Sequence, residues 1–71
     1  MKLHYYPDTD SLYIELSSEP GAETREVVEG LNVDVDSMGA VVGFDMDQAS
    51  KRLDLTSLET VALPLRTTRV A

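Results

Sequence analysis

The chain has no cysteine, a single histidine, and only six lysines and arginines against thirteen acids. The lack of cysteine excludes a disulfide and a thiolate zinc site as internal braces. It fits a reducing compartment, and a cytoplasmic location is expected. No apolar run approaches the roughly eighteen residues of a membrane span, so no membrane partner is expected. Met1-Lys2-Leu3-His4-Tyr5-Tyr6 lacks the apolar core of a signal peptide. The scarcity of bases leaves a net charge of −7. Such a body repels phosphate backbones, so direct nucleic-acid binding is not expected either. No internal repeat or low-complexity segment occurs.

What remains is a short, ordinary globular composition: 71 residues, 42% hydrophobic. One domain is the limit at this length. A domain so small buries only about 60% of its unfolded surface, and association with a copy or a partner is a common remedy. The charge is uneven. Residues 1–47 carry eleven acids against Lys2 and Arg25. Residues 48–71 carry Lys51, Arg52, Arg66 and Arg69 against Asp54 and Glu59.

Alternation of apolar and polar residues dominates the first two thirds. Leu3 and Tyr5 alternate with His4 and Tyr6. Residues 7–10, Pro-Asp-Thr-Asp, form a turn, because Pro presets φ and Asp bonds nearby amides. Leu12, Ile14 and Leu16 then alternate with Tyr13 and Glu15. A four-residue loop pairs Tyr6 with Ser11, Tyr5 with Leu12 and Leu3 with Ile14, which puts the apolar residues on one face. Residues 17–22 read as a loop. Residues 24–28 form a third strand, and Glu29-Gly30 a tight turn. Leu31, Val33 and Val35 mark a fourth strand. The tight turn sets Glu26 opposite Val33 on the core face, a conflict that a bulge or an edge position would resolve. Residues 41–46 form a fifth strand, with Val33 facing Phe44 and Val35 facing Val42. An even loop keeps this register, whereas an odd one turns Val42, Phe44 and Met46 outward. Asp47 is the expected cap of a helix from Gln48 to about Leu53. Thr56-Ser57-Leu58-Glu59 has the capping-box pattern of a further helical turn, which Pro64 stops.

The expected fold is therefore α+β: an antiparallel meander of about five strands, then one short C-terminal helix packed on the sheet. Short connections favour sequential pairing. Residues 1–55 make the domain, and 56–71 a short helical turn and a mobile tail.

Two segments stand out: Tyr6-Pro7-Asp8-Thr9-Asp10-Ser11-Leu12-Tyr13-Ile14, and Val42-Gly43-Phe44-Asp45 followed by Ala49-Ser50-Lys51-Arg52-Leu53. With Thr24-Arg25-Glu26-Val27, Asp36 and Gly39 between them, the ordered set resembles the bacterial family called domain of unknown function 2283. The resemblance covers roughly residues 3–55. Met38 departs from it where a polar turn residue is usual, and Asp45 where Glu is common. It implies a small β-rich domain. It brings no established activity and no catalytic residues. It also implies that some members lie beside small toxin-like proteins.

The acids of 34–45 imitate a calcium loop, with Asp34, Asp36, Gly39 and Asp45 at positions one, three, six and twelve. Met38 at position five is a poor ligand, Asp45 is short for bidentate reach, and a strand precedes the loop. Asp34, Asp36, Asp45 and Asp47 are thus weak-cation candidates, and a solvated acidic face is the preferred reading. His4 has no second His or Cys to complete a transition-metal site. The serines have no histidine at triad spacing. No cofactor and no enzymatic activity are expected. Lys51 and Arg52 fall in the last helical turn, where cations complement the dipole, and they are candidate partner contacts together with Arg66 and Arg69. Tyr6 and Tyr13 share the face opposite Leu12 and Ile14, an aromatic patch suited to protein contact. The expected function is a non-catalytic, self-associating protein-interaction domain. The alternatives are an antitoxin-like acidic partner of a small basic toxin, and a weak divalent-cation binder.

Overall fold

The first hairpin forms in the register that its alternation demands. In the computed structural model of the chain, which describes residues 1–65, strand β1 (Lys2–Tyr6) pairs antiparallel with β2 (Ser11–Glu15). Leu3 faces Ile14, Tyr5 faces Leu12 and Tyr6 faces Ser11. The Thr9 amide donates to the Tyr6 carbonyl, and Asp10 closes the loop at φ 53°. Asp tolerates this left-handed conformation better than most residues.

A second unit is built from β3 (Glu23–Val28), β4 (Leu31–Val35) and β5 (Val41–Met46), each antiparallel to the next. Gly30, at φ 82°, supplies the turn between β3 and β4. The conflict at Glu26 is resolved by both available devices. β3 lies at the sheet edge, and its register shifts between Glu26 and Val28. Glu26 consequently faces Asn32, while Arg25 faces Val33. The β4–β5 connection, residues 36–40, has an odd count. A register shift beyond Asp34 absorbs it: Val35 faces Val41 rather than Val42, Val33 still faces Phe44, and Val42 stays buried.

The result is a five-stranded antiparallel sheet followed by a short helix, α1 (Ala49–Arg52). Its order is β1-β2-β5-β4-β3. The expectation of sequential pairing is corrected at one place: β2 pairs with β5, not with β3. Residues 16–22 carry the chain from β2, next to one edge, to the opposite edge of the sheet. The amides of Leu16 and Ser17 both donate to the Val42 carbonyl, and that of Ala22 donates to Val35. The charged strand, with Glu23, Arg25 and Glu26, takes an edge, and the apolar β5 takes the centre.

The register sorts side chains between two faces. Leu3, Tyr5, Leu12, Ile14, Phe44, Met46, Leu31 and Val33 share the apolar face. Among the described residues, only Leu12, Val33, Val35, Val42 and Ala49 are buried hydrophobics. Helix α1 spans four residues and contributes Ala49 alone to that set. Residues 53–58 run past Leu3, Leu12 and Ile14 without forming a layer.

Two helical expectations are corrected. Asp47 does not cap α1; Gln48 holds the N-cap position at φ 53°, with no side-chain cap bond. No helix begins at Thr56. A turn forms at residues 55–56 instead, with Asp54 accepting from the Thr56 amide at 3.0 Å and from its hydroxyl. These bonds to Thr56 hold the Asp54 carboxyl below its ordinary range. Arg66, Arg69 and the rest of the tail lie outside the described residues.

Candidate functional site

Two constellations gather the residues of the distinctive segments. The first is a polar row on the face opposite the core. His4 of β1 lies beside Tyr13 of β2, their rings 6.4 Å apart and tilted by 43°. Tyr13 reaches across β5 to β4, where its hydroxyl donates to Asp34 Oδ2 at 3.0 Å. Thr24 of β3 donates to Asp34 Oδ1 at 2.6 Å. The crossing needs space on β5, and Gly43 supplies it. A Cβ there would stand 2.7 Å from Tyr13 Cζ, still closer to its hydroxyl oxygen, and 3.2 Å from the Ile14 carbonyl. Every strand of the sheet thus contributes to one row.

The electrostatics of the row follow from its acids. Burial, and next the bond to Asp34, push the Tyr13 phenol up. Burial also raises the Asp45 carboxyl, with Asp47 and Asp34 adding repulsion. Asp34 is occupied by two hydroxyl donors. Asp36 is committed to the β4–β5 turn, where Oδ1 accepts from the amides of Met38 and Ala40, each at 2.9 Å. Asp47 sits at the opposite end of β5, its amide donating to the Gly30 carbonyl. The four candidate aspartates therefore do not converge. Among the described residues no three His, Cys, Asp or Glu side chains could hold a metal together.

The second constellation lies where the β1–β2 and β3–β4 turns meet the chain leaving β5. Asp10 holds α1 from forty positions away in sequence. Its backbone carbonyl accepts from the Ala49 amide at 2.9 Å. Its carboxylate accepts from the Ser50 amide at 3.1 Å, the Ser50 hydroxyl at 2.7 Å and the Tyr5 hydroxyl at 2.8 Å. The bonds from Ser50, then Tyr5, hold the Asp10 carboxyl below its ordinary range. The same bond raises the Tyr5 phenol. On the other turn, Arg52 donates to the Glu29 carbonyl at 2.9 Å. Its guanidinium lies where a Cβ on Gly30 would be, 2.6 Å away. Ser50 and Arg52 of the second distinctive segment thus fasten both turns, and Asp10 of the first receives one of them.

The sequence-predicted contacts divide accordingly. Tyr6 is exposed on the polar face. Tyr13 shares that face, but its hydroxyl is engaged with Asp34. Lys51 and Arg52 fall in the last turn of α1, as expected. Lys51 is exposed, while Arg52 is tied to the Glu29 carbonyl. Sequence reasoning missed Asp10 as a cap, Thr24 as a partner of Asp34, and Gly43 as the gap under Tyr13. Gly43 carried a signal, because glycine inside a strand often marks a close approach. The other two join residues far apart in sequence and left no local sign.

Chemically, both constellations hold polar groups in place. No bond links His4 to a serine among the described residues, and the Ser50 proton is given to a carboxylate. No described helix is long and apolar enough to cross a membrane. No curated protein and no solved structure matches the chain. One family model does, over residues 2–50, the span that holds all five strands and the Asp10–Ser50 clamp. The chain belongs to the family described as Protein of unknown function (DUF2283).

Proposed function

We propose that the domain is a non-catalytic interaction module that associates with a second copy of itself. The observation that carries this reading is the incomplete cover of its apolar face. Central residues of that face are sealed, with Leu12 6% exposed, whereas Leu3 is 49% and Tyr5 45% exposed. Both lie on β1, beside shallow grooves shared with Leu12 and Leu55. A four-residue helix cannot form a second layer over five strands. A small domain with a thin core gains most from burying such a surface against a copy. Sedimentation equilibrium over the micromolar range tests this. The expected result is a concentration-dependent rise above the chain mass of 7.8 kDa. A clean monomer at high micromolar concentration overturns it.

A second reading has one observation in its favour. The polar face gathers Glu15, Asp34, Asp45 and Glu26, with Lys2 as its base. That charge suits a small basic protein, as in an antitoxin-like partnership. It is tested with an adjacent or co-expressed basic protein: a complex and growth rescue support it, and no complex counts against it.

A further inference from the structure

We infer that two copies join through the exposed edge of β1, in antiparallel pairing about a two-fold axis at His4. This deepens the self-association reading and rests on it. A five-stranded open sheet has two edges, and here they differ. The β3 edge carries the devices that discourage strand addition: a register shift between Glu26 and Val28, and the charges Glu23, Arg25 and Glu26. The β1 edge is less guarded: it has no register shift, and Lys2 at its first residue is its one formal charge. Its register against β2 is unbroken from Lys2 to Tyr6, and it holds no proline and no acid.

The direction of its free backbone groups follows from the turn. The Tyr6 carbonyl accepts from Thr9, so it points toward the hairpin interior. Alternation then directs Lys2, His4 and Tyr6 toward β2, and Leu3 and Tyr5 outward. Pairing about His4 sets Leu3 against Tyr5 of the second copy, and Tyr5 against its Leu3. All four residues exchange backbone hydrogen bonds, and all four side chains lie on the apolar face. The two most exposed apolar side chains of that face on β1 thereby cover each other.

Charge selects the same edge. The chain is acidic overall, and copies repel. β1 is the strand with Lys2 and His4 and no carboxylate. Antiparallel pairing lays Lys2 of each copy against Tyr6 of the other, next to the turn that carries Asp8 and Asp10. The approach therefore sets base against acid at both ends of the joint.

Because the chain has no cysteine, an introduced one reports without background. The His4 pair is non-hydrogen-bonded, with Cα atoms about 4.5 Å apart, a separation that a disulfide spans. His4→Cys is expected to give a covalent dimer of twice the chain mass on mild oxidation, and Arg25→Cys, on the other edge, is not. Register is read separately. Lys2→Cys and Tyr6→Cys proteins are expected to crosslink when mixed, and neither alone. A sedimenting dimer without these crosslinks overturns the edge and leaves self-association standing. Equal crosslinking of Arg25→Cys also overturns the edge. A monomer in sedimentation removes both.

Discussion

A methyl group on Gly43 has nowhere to go unless the Tyr13 ring leaves. Gly43→Ala is expected to cost about 1–3 kcal/mol, the usual range for overpacking. Chemical denaturation measures it, and the cost should shrink in a Tyr13→Ala background, because the two positions are coupled. Equal costs in both backgrounds would mean that Tyr13 is not the obstacle. Asp45 behaves in the opposite sense. Burial raises its carboxyl, so its charged form opposes folding. Asp45→Asn should therefore stabilise at neutral pH, by about 0.5 kcal/mol or less for so accessible a site. The sign follows from linkage: a carboxyl raised in the folded state is destabilising above its folded value and neutral below the ordinary range. The gain should vanish as pH falls through that window, and denaturation midpoints at two pH values check it. At this scale the turns at residues 7–10 and at Gly30 were legible, since they act within a few positions, whereas Asp36 read as a cation candidate and is instead bonded to the amides of its own turn. Tyr13–Asp34 was not, because its gap depends on which strand lies between.

Helix α1 is too short to stand by itself, and among the described residues its one side-chain cap comes from Asp10. It is therefore expected to loosen when that carboxylate is lost. Ser50→Ala removes one of the three side-chain bonds to Asp10 together with the hydroxyl, and Asp10→Ala removes all three. Amide exchange at Ala49 and Ser50 should quicken in the order wild type, Ser50→Ala, Asp10→Ala. Unchanged protection in Asp10→Ala would show that the helix needs no such anchor. The pH dependence has a definite direction. Asp10 is lowered in the folded state, chiefly by Ser50, so its contribution is complete above the ordinary aspartate range. It is lost as pH falls from that range through the lower folded value. Protection factors at Ala49 and Ser50 should fall over that window in the wild type and stay flat in Asp10→Asn. Asp47 was the natural cap by sequence, one residue before the expected start. The αL conformation of Gln48 turns the chain first, and the amides then face the β1–β2 turn.

Strand existence was legible across the molecule because each alternating stretch sets its own period, whereas strand order was not. Residues 16–22 are long enough to lead β2 either to a neighbour or to the far edge, and Leu12 and Ile14 accept an apolar partner from β3 or β5. The decision lies in composition: β3 carries three charges among six residues and belongs at an edge, while β5 brings Val42 and Phe44 to the middle. That order places β1, with Lys2 as its one charge, opposite the charged and bulged β3, and the proposed association then has an expected response to salt. Two copies of a −7 chain repel over a range set by the Debye length, about 10 Å at 0.1 M salt and about 3 Å at 1 M. The local attraction of Lys2 for the opposing turn is one contact at each end, set against a net charge of −7 on each copy. Raising salt from low to moderate concentration should therefore tighten self-association, read as a lower dissociation constant in sedimentation. A basic protein held on the face of Glu15, Asp34 and Asp45 would respond in the reverse direction, since screening removes the attraction itself. The sign of the salt dependence thus separates a module that holds its own copy from one that holds a cationic partner. Association that weakens steadily with salt would count against the edge-to-edge dimer.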